Sequence, residues 1–360
     1  MTSKNNKIAI ISASLGQGGA EKFAGNLSFI LSNLNFEVHN IVINDIIAYK
    51  YSGKLLNLGI LSQRNNFIVR KFIKAYELKK YLRDNNIDII IENRTRNQFF
   101  RELITNFIFG KRRIIWMVHN YKLEHYFPKS KFLAHLLYKK NSEFVCVADA
   151  IKNKITENYN FKNTKTIYNS IDVEQFKNIN LKVNNEKYIL YFGRLENEVK
   201  NFDLLLEAFE DSKIFNQGFQ LKIMGDGNDI KIIRNKIKKL DLDKFVNILP
   251  FQNNPFEVVK NAKFTILTSR HEGYPMSIIE SLALGTPVVS VDCKSGPSEI
   301  IVNEFNGLLV ENYNVNALSE AINSMINDFT LYNICKKNTV KSIEFLSLET
   351  ITKQWKSILE

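Results

Sequence analysis

Two glutamates eight positions apart, Glu272 and Glu280, are the residues whose spacing and setting first suggest chemistry. They lie in the run TSRHEGYPMSIIESLALGTPVV, residues 268–289. Pro275 between them suits the first turn of a helix, where a missing N–H costs nothing. The amides of Met276 and Ser277 then stand at a helix N-terminus, which is an anion site. An anion on those amides, with carboxylates beside it to accept hydroxyl hydrogens from ribose and sugar, suits a nucleotide-sugar. The same two residues, taken singly, also read as a solvated loop glutamate and a glutamate favouring the helix dipole.

The elements that must position this stretch are legible around it. Residues 264–267 form an apolar run that predicts a buried strand. Helical spacing follows from Met276, with Ile278, Ile279, Leu282 and Ala283 on one side. Gly285-Thr286-Pro287 ends the helix, and 288–291 predicts a second buried strand. The loop therefore leaves the carboxyl end of a strand, where open parallel sheets place their ligands.

The run Glu272-Gly273-Tyr274-Pro275, with Glu280 after seven intervening residues, closely resembles the signature of retaining glycosyltransferases of family 4, which have the GT-B fold. Partner motifs appear in order along nearly the whole chain. Strand 7–12 runs into Gly16-Gln17-Gly18-Gly19-Ala20-Glu21-Lys22 and a helix. This is a phosphate-type cradle, but Glu21 replaces the third glycine of the dinucleotide fingerprint. Gly18 and Gly19 resemble the family's N-terminal loop, which touches acceptor and donor. His119 follows the strand 114–118, where the family carries a functional histidine; the resemblance places it on the donor-sugar side. Asn169-Ser170-Ile171-Asp172 is similar to the element that ends the family's first domain.

In the second half, strand 188–192 leads to Gly193-Arg194-Leu195-Glu196 and then Lys200, which resembles the family's diphosphate site. Physics agrees, since fixed cations stabilise charge developing on a departing diphosphate. Arg194 can fork onto phosphate oxygens, and Lys200 supplies a point charge. The resemblance implies that the loop after strand 245–249 packs on the base, with Phe251 as the candidate neighbour; Phe251 otherwise reads as a core residue. Asp241-Leu242-Asp243 reads as a helix-end loop, and no catalytic metal is expected. A last amphipathic helix, 348–359, carries Trp355. The resemblance implies that it crosses back onto the first domain.

Composition bounds the rest. The 360 residues suit two domains, and no apolar run approaches a membrane span. The opening MTSKNNKIAIISAS reads as a first strand and not a signal peptide. Three unclustered cysteines (Cys146, Cys293, Cys335) argue for a reducing cytoplasm. Charge is unequal: residues 1–185 hold 29 basic and 14 acidic side chains, and residues 186–360 hold 20 and 23. The basic half suits an anionic membrane surface or nucleic acid, or is a solvated face. No nucleic-acid module supports the second. Aromatics and lysines mix from Tyr121 to Lys140, as on an interfacial surface or a capped helix on a rim. Arg94 and Arg96 read as surface charge, or as contacts to an acidic acceptor. Asp149 reads as the cap of a helix.

The expected fold is α/β GT-B: two Rossmann-like domains with parallel sheets facing a cleft. The expected parts are an acceptor-binding domain (1–170), a linker (171–186), a nucleotide-sugar domain (187–345) and the returning helix (346–360). The resemblance implies retaining, metal-independent transfer of a hexose or N-acetylhexosamine from a UDP-sugar, with no cofactor. The acceptor would be a lipid-linked, lipopolysaccharide or capsule glycan at the inner face of the cytoplasmic membrane. A nucleotide-sugar 2-epimerase of the same fold and a non-catalytic donor- or membrane-binding subunit are the alternatives.

Overall fold

The computed structural model describes residues 7–16, 18–62, 66–138, 142–177 and 186–360. Gln17, Lys139, Lys140 and residues 178–185, half of the expected linker, lie outside that set. The chain divides into two compact units: Met1–Ser170 with Leu348–Glu360, and Ile171–Ser347.

The first unit is built on seven strands: β1 (Lys7–Ser12), β2 (Glu37–Val42), β3 (Lys54–Asn57), β4 (Ile89–Glu92), β5 (Arg113–Val118), β6 (Glu143–Cys146) and β7 (Thr164–Thr166). They pair in the order β3-β2-β1-β4-β5-β6-β7, all parallel. The central strands are continuous apolar runs because helices cover both faces. Those helices are α1 (Gly19–Asn33), α2 (Phe67–Asp84), α3 (Phe99–Phe109), α4 (Lys131–Leu137) and α5 (Asp149–Tyr159). Right-handed crossovers place α1 on one face, since β1 to β2 runs one way across the sheet. They place α2 to α5 on the other, since the later steps run the opposite way.

The second unit has six parallel strands: β8 (Tyr188–Phe192), β9 (Gln220–Met224), β10 (Val246–Leu249), β11 (Thr265–Leu267), β12 (Val288–Asp292) and β13 (Gly307–Glu311). Their order is β10-β9-β8-β11-β12-β13. Its helices are α6 (Glu174–Lys177), α7 (Asn197–Lys200), α8 (Phe202–Ser212), α9 (Ile230–Lys239), α10 (Phe256–Asn261), α11 (Met276–Ala283), α12 (Pro297–Ile300), α13 (Val315–Asn327) and α14 (Phe329–Ser342). The last helix, α15 (Leu348–Leu359), belongs to the first unit. Its Ile351, Trp355, Ile358 and Leu359 join the core made by β1, β2 and α1.

Each sheet has one point where the strand order reverses. It lies between β1 and β4 in the first unit and between β8 and β11 in the second. Ligands of open parallel sheets bind outside the carboxyl ends of strands at such points.

Four local expectations are corrected or narrowed. Arg96 is buried at 2% exposure, boxed by the rings of Trp116, Tyr126 and Tyr138. Arg94 pairs with the buried Glu92 carboxylate at 2.7 Å, so neither arginine is surface charge. Asp149 opens α5 but does not cap it; its carboxylate accepts from Thr166 Oγ1 (2.7 Å) and Tyr168 OH (3.1 Å). The mix of aromatics and lysines from Tyr121 is narrowed: Tyr126, Phe127 and Tyr138 are buried in the unit's own core, Phe132 stays exposed, and α4 is a capped helix, with Ser130 Oγ accepting from Leu133 N–H. Pro275 precedes α11 as its cap residue and is not in its first turn.

Candidate functional site

At the switch point of the second unit, the loops after β8 and β11 are stitched together by backbone. Arg270 N–H donates to the Val199 carbonyl (2.8 Å), and Thr268 Oγ1 donates to the Lys200 carbonyl (2.8 Å). The short α7 ends at Lys200 because Asn201 turns left-handed at φ 55°. Asn197 Oδ1 then accepts from Phe202 N–H at 2.8 Å to start α8. This stitching brings Lys200 and Glu272 together. Lys200 Nζ donates to Glu272 Oε1 at 2.6 Å, and Ser269 Oγ donates to the same oxygen at 2.6 Å. Both side chains of the pair are largely shielded from solvent, so each offsets the other's desolvation.

The loop after β12 completes the frame. Lys294 O accepts from Glu272 N–H (3.3 Å), and Ser295 Oγ donates to Gly273 O (2.7 Å). Gly296 holds φ 100° and packs so tightly that a Cβ would fall 2.4 Å from Pro275 Cδ. The frame sets the start of α11, where Met276 and Ser277 open the helix and Ile278, Ile279 and Leu282 anchor it in the core. Glu280, one turn in, is buried.

Arg194 lies at the start of the loop after β8, pinned by Leu195 N–H to Asp226 O (2.8 Å) and Tyr191 OH to Arg194 O (2.9 Å). Its guanidinium is half exposed and faces Glu196 at 3.3 Å. Phe251 is exposed after β10, which β9 separates from β8. It is therefore not a core residue, and the structure does not join it to the Lys200–Glu272 pair.

At the switch point of the first unit, His119 leaves β5 and meets Asn93, which leaves β4. Asn93 Nδ2 donates to Ala20 O (2.9 Å) and Ser12 Oγ (3.3 Å), so its Oδ1 is the acceptor for His119 at 2.6 Å. The imidazole therefore carries its proton on Nε2. Phe23 lies edge-on, with ring centroids 4.9 Å apart. His119 N–H donates to Tyr126 OH at 3.1 Å. Burial first, and the Arg96 cation second, push the imidazole from 6.5 to about 3, so it is neutral near neutral pH. Gly18 caps α1 in extended backbone. A Cβ at Gly19 would meet nothing within 4 Å, which leaves the backbone there open to approach.

Of the expected residues, Lys200 with Glu272 and His119 with the Gly18–Gly19 loop are brought together within their own units. Sequence reasoning passes over Asn93 and Ser269, the polar groups that orient His119 and Glu272. Each is a polar residue directly after, or two residues after, the end of a buried strand, and that placement is the only signal.

Comparison with known proteins adds to this geometry. The family model described as "Glycosyl transferases group 1" matches residues 172–342. An N-acetylgalactosamine-N,N'-diacetylbacillosaminyl-diphospho-undecaprenol 4-alpha-N-acetylgalactosaminyltransferase of Campylobacter jejuni is 31% identical over 343 residues, 89% of this chain and 90% of the relative. The lipopolysaccharide 1,6-galactosyltransferase of Salmonella typhimurium is 25% identical, covering 84% of this chain and 85% of its own. Among solved structures, Anabaena HepE in complex with UDP and glucose superposes with TM-score 0.80 at 18% identity, over 98% of this chain and 99% of that one. This likeness shows the fold, which is the GT-B fold expected from the sequence.

Proposed function

The chain belongs to the glycosyl transferases group 1 family and is a glycosyltransferase, and from that premise we propose that it moves a hexose or N-acetylhexosamine from a UDP-sugar to a lipid-linked or polysaccharide acceptor, with retention at the anomeric carbon. The observation that carries the reading is the Lys200–Glu272 pair at the switch point of the second sheet. Both of its hydrogen bonds end on Oε1, so Oε2 is left, among the described residues, to accept a sugar hydroxyl. Lys200 has three donors. One goes to Glu272, and two are left for diphosphate oxygens.

In this reading Arg194, Lys200 and the amides at the start of α11, Met276 and Ser277, stabilise the departing nucleoside diphosphate. Glu280 holds the ribose, and Phe251 packs on the base. The acceptor hydroxyl attacks the anomeric carbon from the face that the diphosphate leaves, and a diphosphate oxygen takes the hydroxyl proton. The C–O bond to the diphosphate breaks as the new glycosidic bond forms. His119, neutral and with Nε2–H committed to Asn93, offers Nδ1 as an acceptor to a sugar hydroxyl. The Gly18–Gly19 backbone serves the acceptor side. Fixed cations supply what a metal would, so the reaction proceeds without one. The Campylobacter relative's named undecaprenol-diphosphate substrate and the UDP and glucose of the Anabaena complex support a lipid-linked acceptor and a UDP donor. A lipid-linked acceptor would be met at the inner face of the cytoplasmic membrane by peripheral contact; among the described residues no helix is long and apolar enough to cross a membrane.

A donor screen tests this. Release of UDP from one UDP-sugar, unchanged by EDTA and reduced about 100- to 1,000-fold in Lys200→Ala, is expected. Glu280→Ala should raise KM for the donor. Release from no UDP-sugar, or full inhibition by EDTA, would overturn the reading.

A further inference from the structure

Helix α3 is apolar on its outward face as well as its inward one, where Ile108 and Phe109 are buried. Its buried positions include Glu102 and Thr105, while Phe100 (78% exposed), Leu103, Ile104 and Phe107 (73%) face outward at intervals of three and four. A helix that only packed on its own sheet would keep that outward face polar. Burial raises the Glu102 carboxyl above its usual range even with Arg101 beside it, so the inward position carries a cost.

The neighbours of α3 repeat the pattern. On α2, Phe72 (73%) and Tyr76 point outward; on α4, Phe132 (76%) and Leu136 do. The helices lie side by side: Lys79 Nζ of α2 sits 4.4 Å over the Phe107 ring, and Asn106 Nδ2 of α3 donates to Leu137 O of α4 at 2.7 Å. All three belong to the helical layer on one face of the first sheet. Their apolar side chains therefore form one patch across three helices, larger than isolated surface apolar residues make.

The charge around the patch selects the occupant. Arg70, Lys71, Lys79 and Lys80 of α2 are exposed, as are Lys129 and Lys131 at the start of α4. Aromatic rings with long basic side chains among them suit a bilayer surface, where rings enter the headgroup boundary and ammonium groups reach lipid phosphates. We infer that the face formed by α2, α3 and α4 docks on an anionic lipid bilayer, with Phe100, Phe107 and Phe132 inserting and the lysines of α2 pairing with phosphate. This deepens the proposed function, on which it rests for a lipid-linked acceptor, and it gives that acceptor a surface on which to be met.

Co-sedimentation with vesicles of phosphatidylethanolamine and phosphatidylglycerol tests it, with phosphatidylcholine vesicles as the neutral comparison and UDP release assayed in solution beside it. Binding to the anionic vesicles is expected, weakened by salt. Each of Lys71→Gln and Lys80→Gln should lower the partition coefficient about fivefold. The pair Phe100→Ser and Phe107→Ser should abolish binding while the melting temperature and UDP release in solution are kept. All four side chains are exposed, so the variants leave the core intact. Vesicle binding without UDP release would uphold the docking face and sink the proposed chemistry. UDP release without vesicle binding would do the reverse. Binding that the variants leave unchanged overturns the inference. So does a wild-type dimer that Phe100→Ser and Phe107→Ser dissociate while vesicle binding persists, since a second copy would then own the face.

Discussion

His119 is held neutral by its surroundings, and the consequence is a pH dependence with a definite sign. Its pKa falls from 6.5 to about 3 on folding, through burial and then through Arg96. Above about pH 6.5 both folded and unfolded chains carry it neutral, and it contributes nothing to the slope. Between 6.5 and 3 the unfolded chain binds the extra proton, so stability is lost as pH falls, by at most about 1.4 kcal/mol per unit. Urea denaturation of the wild type at about pH 7 and about pH 5 should show this loss, and His119→Gln should show less of it. An identical slope in the variant would mean that His119 protonates in the fold. The sequence makes His119 visible because it directly follows a buried strand. It does not make Arg96 visible, since an arginine after a strand reads as surface charge. The box that buries Arg96 comes from Trp116, Tyr126 and Tyr138, up to 42 positions away. Such a contact is created by the sheet order and has no local signature.

At the scale of elements, the donor-side loops are positioned by backbone packed on backbone. The loop after β9 presses on the loop after β8 so closely that a Cβ on Gly225 would lie 1.9 Å from Gly193 O, and one on Gly227 2.3 Å from Leu195 O. Both clashes are with main chain, which no side-chain rotation relieves. Gly225→Ala must therefore displace the loop that carries Arg194, at a cost of about 1–3 kcal/mol. A lower melting temperature together with a higher donor KM is the expected result. A lower melting temperature with KM unchanged would separate Arg194 from donor binding. The strands and helices around these loops are legible because each alternates a buried apolar run with a helical period; β1 and β8 match their expected spans residue for residue. Helix α3 is not legible in the same way. Phe99, Phe100, Leu103, Ile104, Phe107, Ile108 and Phe109 surround its axis, so no single apolar face marks its period. Strand β3 fails for a different reason: four residues, none fully buried, carry too little pattern.

At the scale of the whole molecule, the order of the chain is not the order of its cores. The chain leaves the first unit at Ser170 and comes back at Leu348, and the two passages run beside each other, with Ile171 N–H donating to Leu346 O at 3.0 Å. Ile351, Trp355, Ile358 and Leu359 then complete a core whose other members begin at Ile8. Arg113 fastens the end of α15 through the carbonyls of Ile358 and Leu359. Four buried apolar side chains, at about 1.5–3 kcal/mol each, amount to roughly 6–12 kcal/mol. That is as large as the net stability of an ordinary domain. A chain ending at Ser347 should therefore lose the first unit and keep the second, to which α15 does not belong. Hydrogen exchange resolved by segment reads this directly: amides of β1, β4 and α1 should exchange rapidly in the truncated chain, while those of β8, β11 and β12 remain protected. Trp355→Ala in the untruncated chain of 360 residues is the graded version, with an expected loss of about 3–5 kcal/mol confined to the first unit. If protection fell equally in both units, the two cores would be one cooperative structure, and the division of the chain into separately stabilised halves would be wrong.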